Sequence, residues 1–136
     1  MDQAVAAFLS AWTHDPKGVR PGLVRFIQAV SGLAGAGIEL VSRPGVTHSL
    51  RVAHPSRVQR PLFALADVVE DPDGRWLSIC FYANAVTDPE ERGNLVPGGL
   101  LGEDGYCFDY EEPDQAFIDY IGARLTEAAS KMGPGG

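Results

Sequence analysis

The stretch Pro61–Asn84, PLFALADVVEDPDGRWLSICFYAN, decides how this chain folds. Two runs rich in Val, Ile, Phe, Trp and Tyr flank Asp71-Pro72-Asp73-Gly74. Pro72 presets φ for the first central position of a turn, Asp73 tolerates the bridge region, and Gly74 takes a positive φ without penalty. The stretch therefore predicts an antiparallel hairpin. With a bulge at Gly74, Val69 is expected opposite Leu77, Asp67 opposite Ile79 and Leu65 opposite Phe81. The other side then pairs Val68 with Ser78, Ala66 with Cys80 and Ala64 with Tyr82. Both faces are apolar in that register, so each needs cover. The rest of the chain is the ordinary source of it; a ligand or a second copy is the alternative.

Upstream, Val5, Phe8, Leu9 and Trp12 fall on one stripe, predicting a short helix over Asp2–Trp12 with Asp2 as its cap. A connector rich in Pro and Gly leads to a second helix from Leu23 to about Ala34. Ile38–Ser42 and Val46–Val52 predict a hairpin around Pro44-Gly45. Pairing Ile38 with Val52, Leu40 with Leu50 and Glu39 with Arg51 keeps like with like, whereas a one-residue slip mixes apolar with charged. Downstream, Asn84–Gly105 reads as a long irregular segment with one helical turn begun by Asp88-Pro89 and ended by Gly93. Leu95, Val96, Leu100 and Leu101 are its expected apolar feet on the sheet. Tyr106–Tyr110 predicts a closing strand, and Pro113–Ala129 a final helix.

These elements define an α+β domain over residues 1–132: a mainly antiparallel five-stranded sheet, two N-terminal helices and one C-terminal helix packed on it. Residues 133–136 are expected to be a loose tail. A length of 136 residues suits one domain. The net charge of −7 disfavours nucleic acid and anionic membrane as principal partners. The N-terminus has no basic leader with an apolar core, so a cytoplasmic location is expected. Cys80 and Cys107 have no CxxC neighbour, and buried reduced thiols are the expectation.

Charge is unevenly laid out. No acid lies between Leu40 and Ala66, where Arg43, Arg51, Arg57 and Arg60 fall; from Asp67 to Asp119 the only bases are Arg75 and Arg92. An arginine group holds a carboxylate or phosphate by forked hydrogen bonds, or else pairs with the acid-rich remainder of its own chain. Asp67 stands out as a carboxylate within an otherwise apolar run, where it must be paired, hydrogen-bonded or raised in pKa. The best-supported function on these grounds is a non-enzymatic binding domain. Its cleft would lie under the 84–105 segment, lined by Trp76, Tyr82 and Leu100, with Arg43, Arg57 or Arg60 anchoring a small anionic ligand and Asp67 nearby. The same apolar face would alternatively form a homodimer. A hydrolase or transferase using Asp67 or a Cys–His pair has the least support.

Gly105-Tyr106-Cys107-Phe108-Asp109-Tyr110-Glu111-Glu112-Pro113, running into Ile118-Asp119-Tyr120-Ile121-Gly122-Ala123-Arg124, resembles the YdhG family of small bacterial frataxin-like domains. A short strand with Phe and Asp before a proline-started helix carries the likeness. The resemblance implies an α+β fold and an intracellular iron-chaperone role through acidic surface residues, for which Asp109, Glu112 and Asp114 are the candidates.

Overall fold

A computed structural model describes residues 2–54 and 62–132. Helix α1 (Gln3–Ala11) starts where the Asp2 carboxylate accepts from the Ala4 and Val5 amides. Helix α2 (Arg20–Ser31) begins earlier than its apolar stripe implies. The Asp15 carboxylate takes the Val19 and Arg20 amides at 3.0 and 2.9 Å, and Pro21 sits in the first turn, where its missing N–H costs nothing. Helix α3 (Gln115–Met132) starts at Asp114, which accepts from the Phe117 amide at 3.0 Å.

Six antiparallel strands form one sheet: β1 (Gly37–Arg43), β2 (Thr47–Ala53), β3 (Leu62–Val69), β4 (Trp76–Tyr82), β5 (Asn94–Leu100) and β6 (Glu103–Tyr110), in the order β1-β2-β3-β4-β6-β5. The α+β class stands, with six strands where five were expected. The β1–β2 register is the expected one, with Ile38 opposite Val52, Leu40 opposite Leu50 and Glu39 opposite Arg51. Gly45 supplies the positive φ of 80° that its turn requires.

The central hairpin differs from expectation by one residue. Val69 faces Trp76, Val68 faces Leu77, Asp67 faces Ser78 and Ala66 faces Ile79. The next pair outward is Glu70 and Arg75, which lies outside the ladder but is clamped side chain to side chain. Arg75 donates from Nε and Nη2 to the two Glu70 oxygens at 3.1 and 2.9 Å. That fork outweighs the longer turn assumed from Gly74. Because side chains alternate along a strand, the shift exchanges faces. Ala66 and Val68 now share a face with Leu77, Ile79 and Phe81, whereas Asp67 and Val69 join Trp76, Ser78, Cys80 and Tyr82.

All three helices pack on the first of these faces. Phe8 of α1 lies 4.8 Å from the His48 ring, Phe117 and Tyr120 of α3 meet Phe108 edge-on, and α2 lays Gly22 against the Tyr110 ring. A Cβ at Gly22 would come within 2.5 Å of Tyr110, so α2 needs glycine there to approach the sheet. Leu23, Phe26, Leu50, Phe81, Phe108 and Ile121 are fully buried between the layers, each stabilising the fold by about 2 kcal/mol or more relative to exposure.

The segment expected to be irregular instead supplies the sixth strand. Leu101 and Gly102 both have positive φ (52° and 87°), the geometry of a two-residue hairpin turn joining β5 to β6. Pro97 is accommodated because β5 is an edge strand with a register break between Val96 and Leu100. No helix forms at Asp88-Pro89. Of the four expected apolar feet only Leu100 is buried; Leu95, Val96 and Leu101 are exposed.

The second large correction concerns the cysteines. Cys80 on β4 stands directly opposite Cys107 on β6, and the two form a disulfide, leaving no free cysteine among the described residues. With both sulfurs bonded, no thiol remains for a Cys–His dyad. No helix among the described residues is long and apolar enough to cross a membrane.

Candidate functional site

Ladder register sorts the face away from the helices into rows. One row runs Arg43, Thr47, Val69, Trp76 across β1 to β4; the next runs Val41, Ser49, Asp67, Ser78, Asp109 across β1 to β6. Trp76, Arg43 and Asp67 are therefore brought onto one surface, with Trp76 and Arg43 about 14 Å apart at three strand spacings. Arg43 is exposed and makes no ion pair among the described residues. Trp76 is half-buried.

Tyr82 and Leu100 belong to the other end. Tyr82 is six residues along β4 from Trp76, about 20 Å away, and is buried. It faces Gly105, over which the fully buried Leu100 packs, 3.4 Å from where a Cβ would stand. One cleft cannot gather Trp76 with Tyr82 and Leu100. Arg57 and Arg60 lie outside the described residues.

Asp67 faces serines rather than Ile79. Burial pushes its carboxyl above the usual range, against the opposing pull of the Ser49 hydroxyl and the Arg51 and Arg43 charges. Its Oδ1, and Arg51 Nε nearby, are closed off from solvent without a hydrogen-bond partner among the described residues. Asp109, at the end of the same row, is also raised, by burial and then by the Glu111 charge. This is a polar centre in a half-apolar surface.

Sequence reading missed a second constellation. His48 reaches Ser42 Oγ through Nδ1 at 2.9 Å and Glu70 Oε2 through Nε2 at 2.8 Å. Arg75 forks onto the same Glu70 and lies 5.2 and 5.0 Å from the Phe8 and Trp12 ring centres. Arg75, with His48 beside it, holds the Glu70 carboxyl below its usual range. Ser, His and Glu thus stand in nucleophile, base and acid order. The adjoining cavity, about 250 Å³, is lined by Trp12, His14, Glu70 and Arg75 and not by Ser42. The cluster's evident work is to fasten α1 and the β1–β2 turn to the central hairpin. The sequence signal was the opposite charges of Glu70 and Arg75 on either side of the turn.

The metal candidates do not converge. Asp109 is on the sheet face, Asp114 is occupied as the α3 cap and by Arg92 at 3.4 Å, and Glu112 is exposed between them. Among the described residues no group of three or more His, Cys, Asp or Glu side chains is placed to hold a metal ion. A larger cavity, about 590 Å³, opens between α2 and the start of α3, lined by Pro21, Val24, Tyr110, Pro113 and Ile118. No family model, curated protein or solved structure matches this chain.

Proposed function

We propose that the chain is a non-enzymatic binding domain whose recognition surface is the sheet face opposite the helices, at Trp76, Val69, Arg43 and Asp67. The observation that carries this reading is the pairing of a half-buried indole with an exposed, unpaired arginine on one ladder row, beside a carboxylate oxygen and a guanidinium nitrogen that lack partners among the described residues. Binding sites combine apolar surface with a few polar groups that fix orientation. Arg43 anchors an anionic group by its fork, and Trp76 supplies the contact area.

Thermal shift against a panel of phosphates, carboxylates and nucleotides tests this. At least one anion class is expected to raise the melting temperature of the wild type and to lose most of its effect on Arg43→Ala and Trp76→Ala. A shift that survives Arg43→Ala, or none across the panel, contradicts the reading. Saturable uptake of ferrous iron or manganese in the same format would favour the acidic residues as the working groups.

A further inference from the structure

Strand β1 is an edge strand with neither proline nor bulge: GIELVSR has no proline, and its ladder with β2 runs unbroken over seven pairs, so Glu39 and Arg43 are its only charged guards. The opposite edge, β5, carries Pro97 and a register break. Ile38, Leu40 and Val41 stay only half-buried on β1 although their β2 partner positions include the fully buried Leu50 and Val52. Glu39 and Arg43 are exposed and make no ion pair among the described residues, even though Glu39 stands opposite Arg51. They share the face away from the helices, one residue to either side of Val41 on that face.

This spacing is self-complementary. If two β1 strands pair antiparallel about a two-fold axis at Val41, residues whose numbers sum to twice 41 stand opposite each other. Val41 meets Val41, and Glu39 meets Arg43 twice. Residues directly opposite in an antiparallel pair are the ones whose charges interact. A third observation points the same way. Helix α1 packs against β1, with Val5, Leu9 and Trp12 turned inward, yet its outer side is also apolar: Ala4, Ala6, Ala7 and Ala11 are exposed. Apart from Gln3 and Ser10, the exposed side of α1 carries only these alanines, small enough for a second helix to approach. A two-fold axis normal to the sheet keeps both helix layers on the same face, which brings the two α1 helices to either side of the seam with small residues outward.

We infer that β1 is the interface of a homodimer, in which Val41 abuts the partner's Val41, Glu39 pairs with the partner's Arg43, and two six-stranded sheets become one. The inference competes with the binding reading above for Arg43, whose fork the partner's Glu39 would take; Glu39→Arg leaves Arg43 in place and so tests the dimer apart from the anion site. Charged residues also serve to keep edge strands from pairing, so a monomer is the competing outcome.

Sedimentation velocity of the full oxidised chain, up to roughly 100 μM at low salt, is expected to show twice the monomer mass of 14.5 kDa. Glu39→Arg alone and Arg43→Glu alone each set like charges opposite one another and are expected to weaken the dimer about tenfold or more. The double exchange Glu39→Arg with Arg43→Glu restores it. Circular dichroism checks that each variant folds, since Glu39→Arg also faces Arg51. As a register test that needs no loss of binding, Val41→Cys is expected to cross-link two chains on oxidation and Thr47→Cys is not. A monomeric wild type, a dimer indifferent to both single reversals, or a dimer broken by Trp76→Ala but not by Glu39→Arg overturns the inference.

Discussion

Reducing the Cys80–Cys107 bridge is expected to destabilise the protein by about 3.5 kcal/mol and to lower its melting temperature by on the order of 10 °C. The figure follows from the loop. The cysteines are separated by 27 residues, and releasing a loop of that length returns its closure entropy to the unfolded chain. The bridge also ties β4 to β6, and with them the central hairpin to the strand that carries Phe108 and Tyr110. Both sulfurs are buried, so reductant alone acts slowly on the native state and mild denaturant speeds it. Denatured, unreduced protein should react with no maleimide, and reduced protein at both cysteines. Two reactive thiols without reductant would contradict the account. Stable disulfides belong to oxidising compartments, so the same measurement on protein taken directly from cells bears on the expectation of a cytoplasmic location.

Asp88→Ala is the second large effect, expected to cost about 3 kcal/mol. One carboxylate gathers four donors from three parts of the chain. The hydroxyls of Tyr106 on β6 and Tyr120 on α3 donate to it, as do the Arg92 and Gly93 amides at 3.0 and 2.9 Å. Around this point the Thr87 amide and hydroxyl donate to the Glu127 carboxylate at 2.7 and 2.8 Å, so residues 86–93 are fixed to α3 along their length. Burial opposes the charged form of Asp88, but the two hydroxyls and two amides outweigh it and hold the carboxyl far below its usual range. The hydrogen bond to Asp88, then burial and the Asp88 charge, in turn push Tyr106 up to about 12. A carboxyl depressed in the fold contributes stability that is fully present above its unfolded pKa, near 4, and is lost as pH falls below that value. The wild type should therefore begin to lose its advantage over Asp88→Ala below about pH 4 and lose steadily more of it down to about pH 2, read from urea midpoints. An advantage that persists undiminished through that interval would count against the charged staple. Asp67 and Asp109 have the opposite sign: their raised carboxyls bind protons better in the fold, so they partly offset acid destabilisation.

What could be read from residues alone was what depends on neighbours in sequence. The β1–β2 register followed from matching Ile38 and Leu40 to Val52 and Leu50, because any slip would turn charged side chains inward. The helices followed from their stripes and, for α1, from the Asp2 cap; the early start of α2 at Asp15 did not. The central hairpin was legible as a hairpin, but Asp-Pro-Asp-Gly permits more than one loop length, and both candidate registers were apolar on both sides. The Glu70–Arg75 fork distinguishes them, a side-chain contact that apolar pattern and turn chemistry do not register. Strand β5 was hidden by Pro97-Gly98-Gly99, residues a central strand rejects and a broken edge strand tolerates. The disulfide, the Asp88 staple and the Ser42–His48–Glu70 cluster each join distant segments, so no local pattern announces them. For the proposed site the consequence was specific. Arg43, Trp76 and Asp67 do share a surface, but Tyr82 and Leu100 were assigned to the wrong end of it.

The account's central claim is that the central hairpin pairs with residue numbers summing to 145, since this places Asp67 and Trp76 on the face away from the helices. Cross-strand backbone NOEs measure it directly. Contacts between Ala66 and Ile79, Asp67 and Ser78, and Val68 and Leu77 are the predicted result. Contacts pairing Asp67 with Ile79 and Leu65 with Phe81 would contradict it, and with it the composition of the binding face.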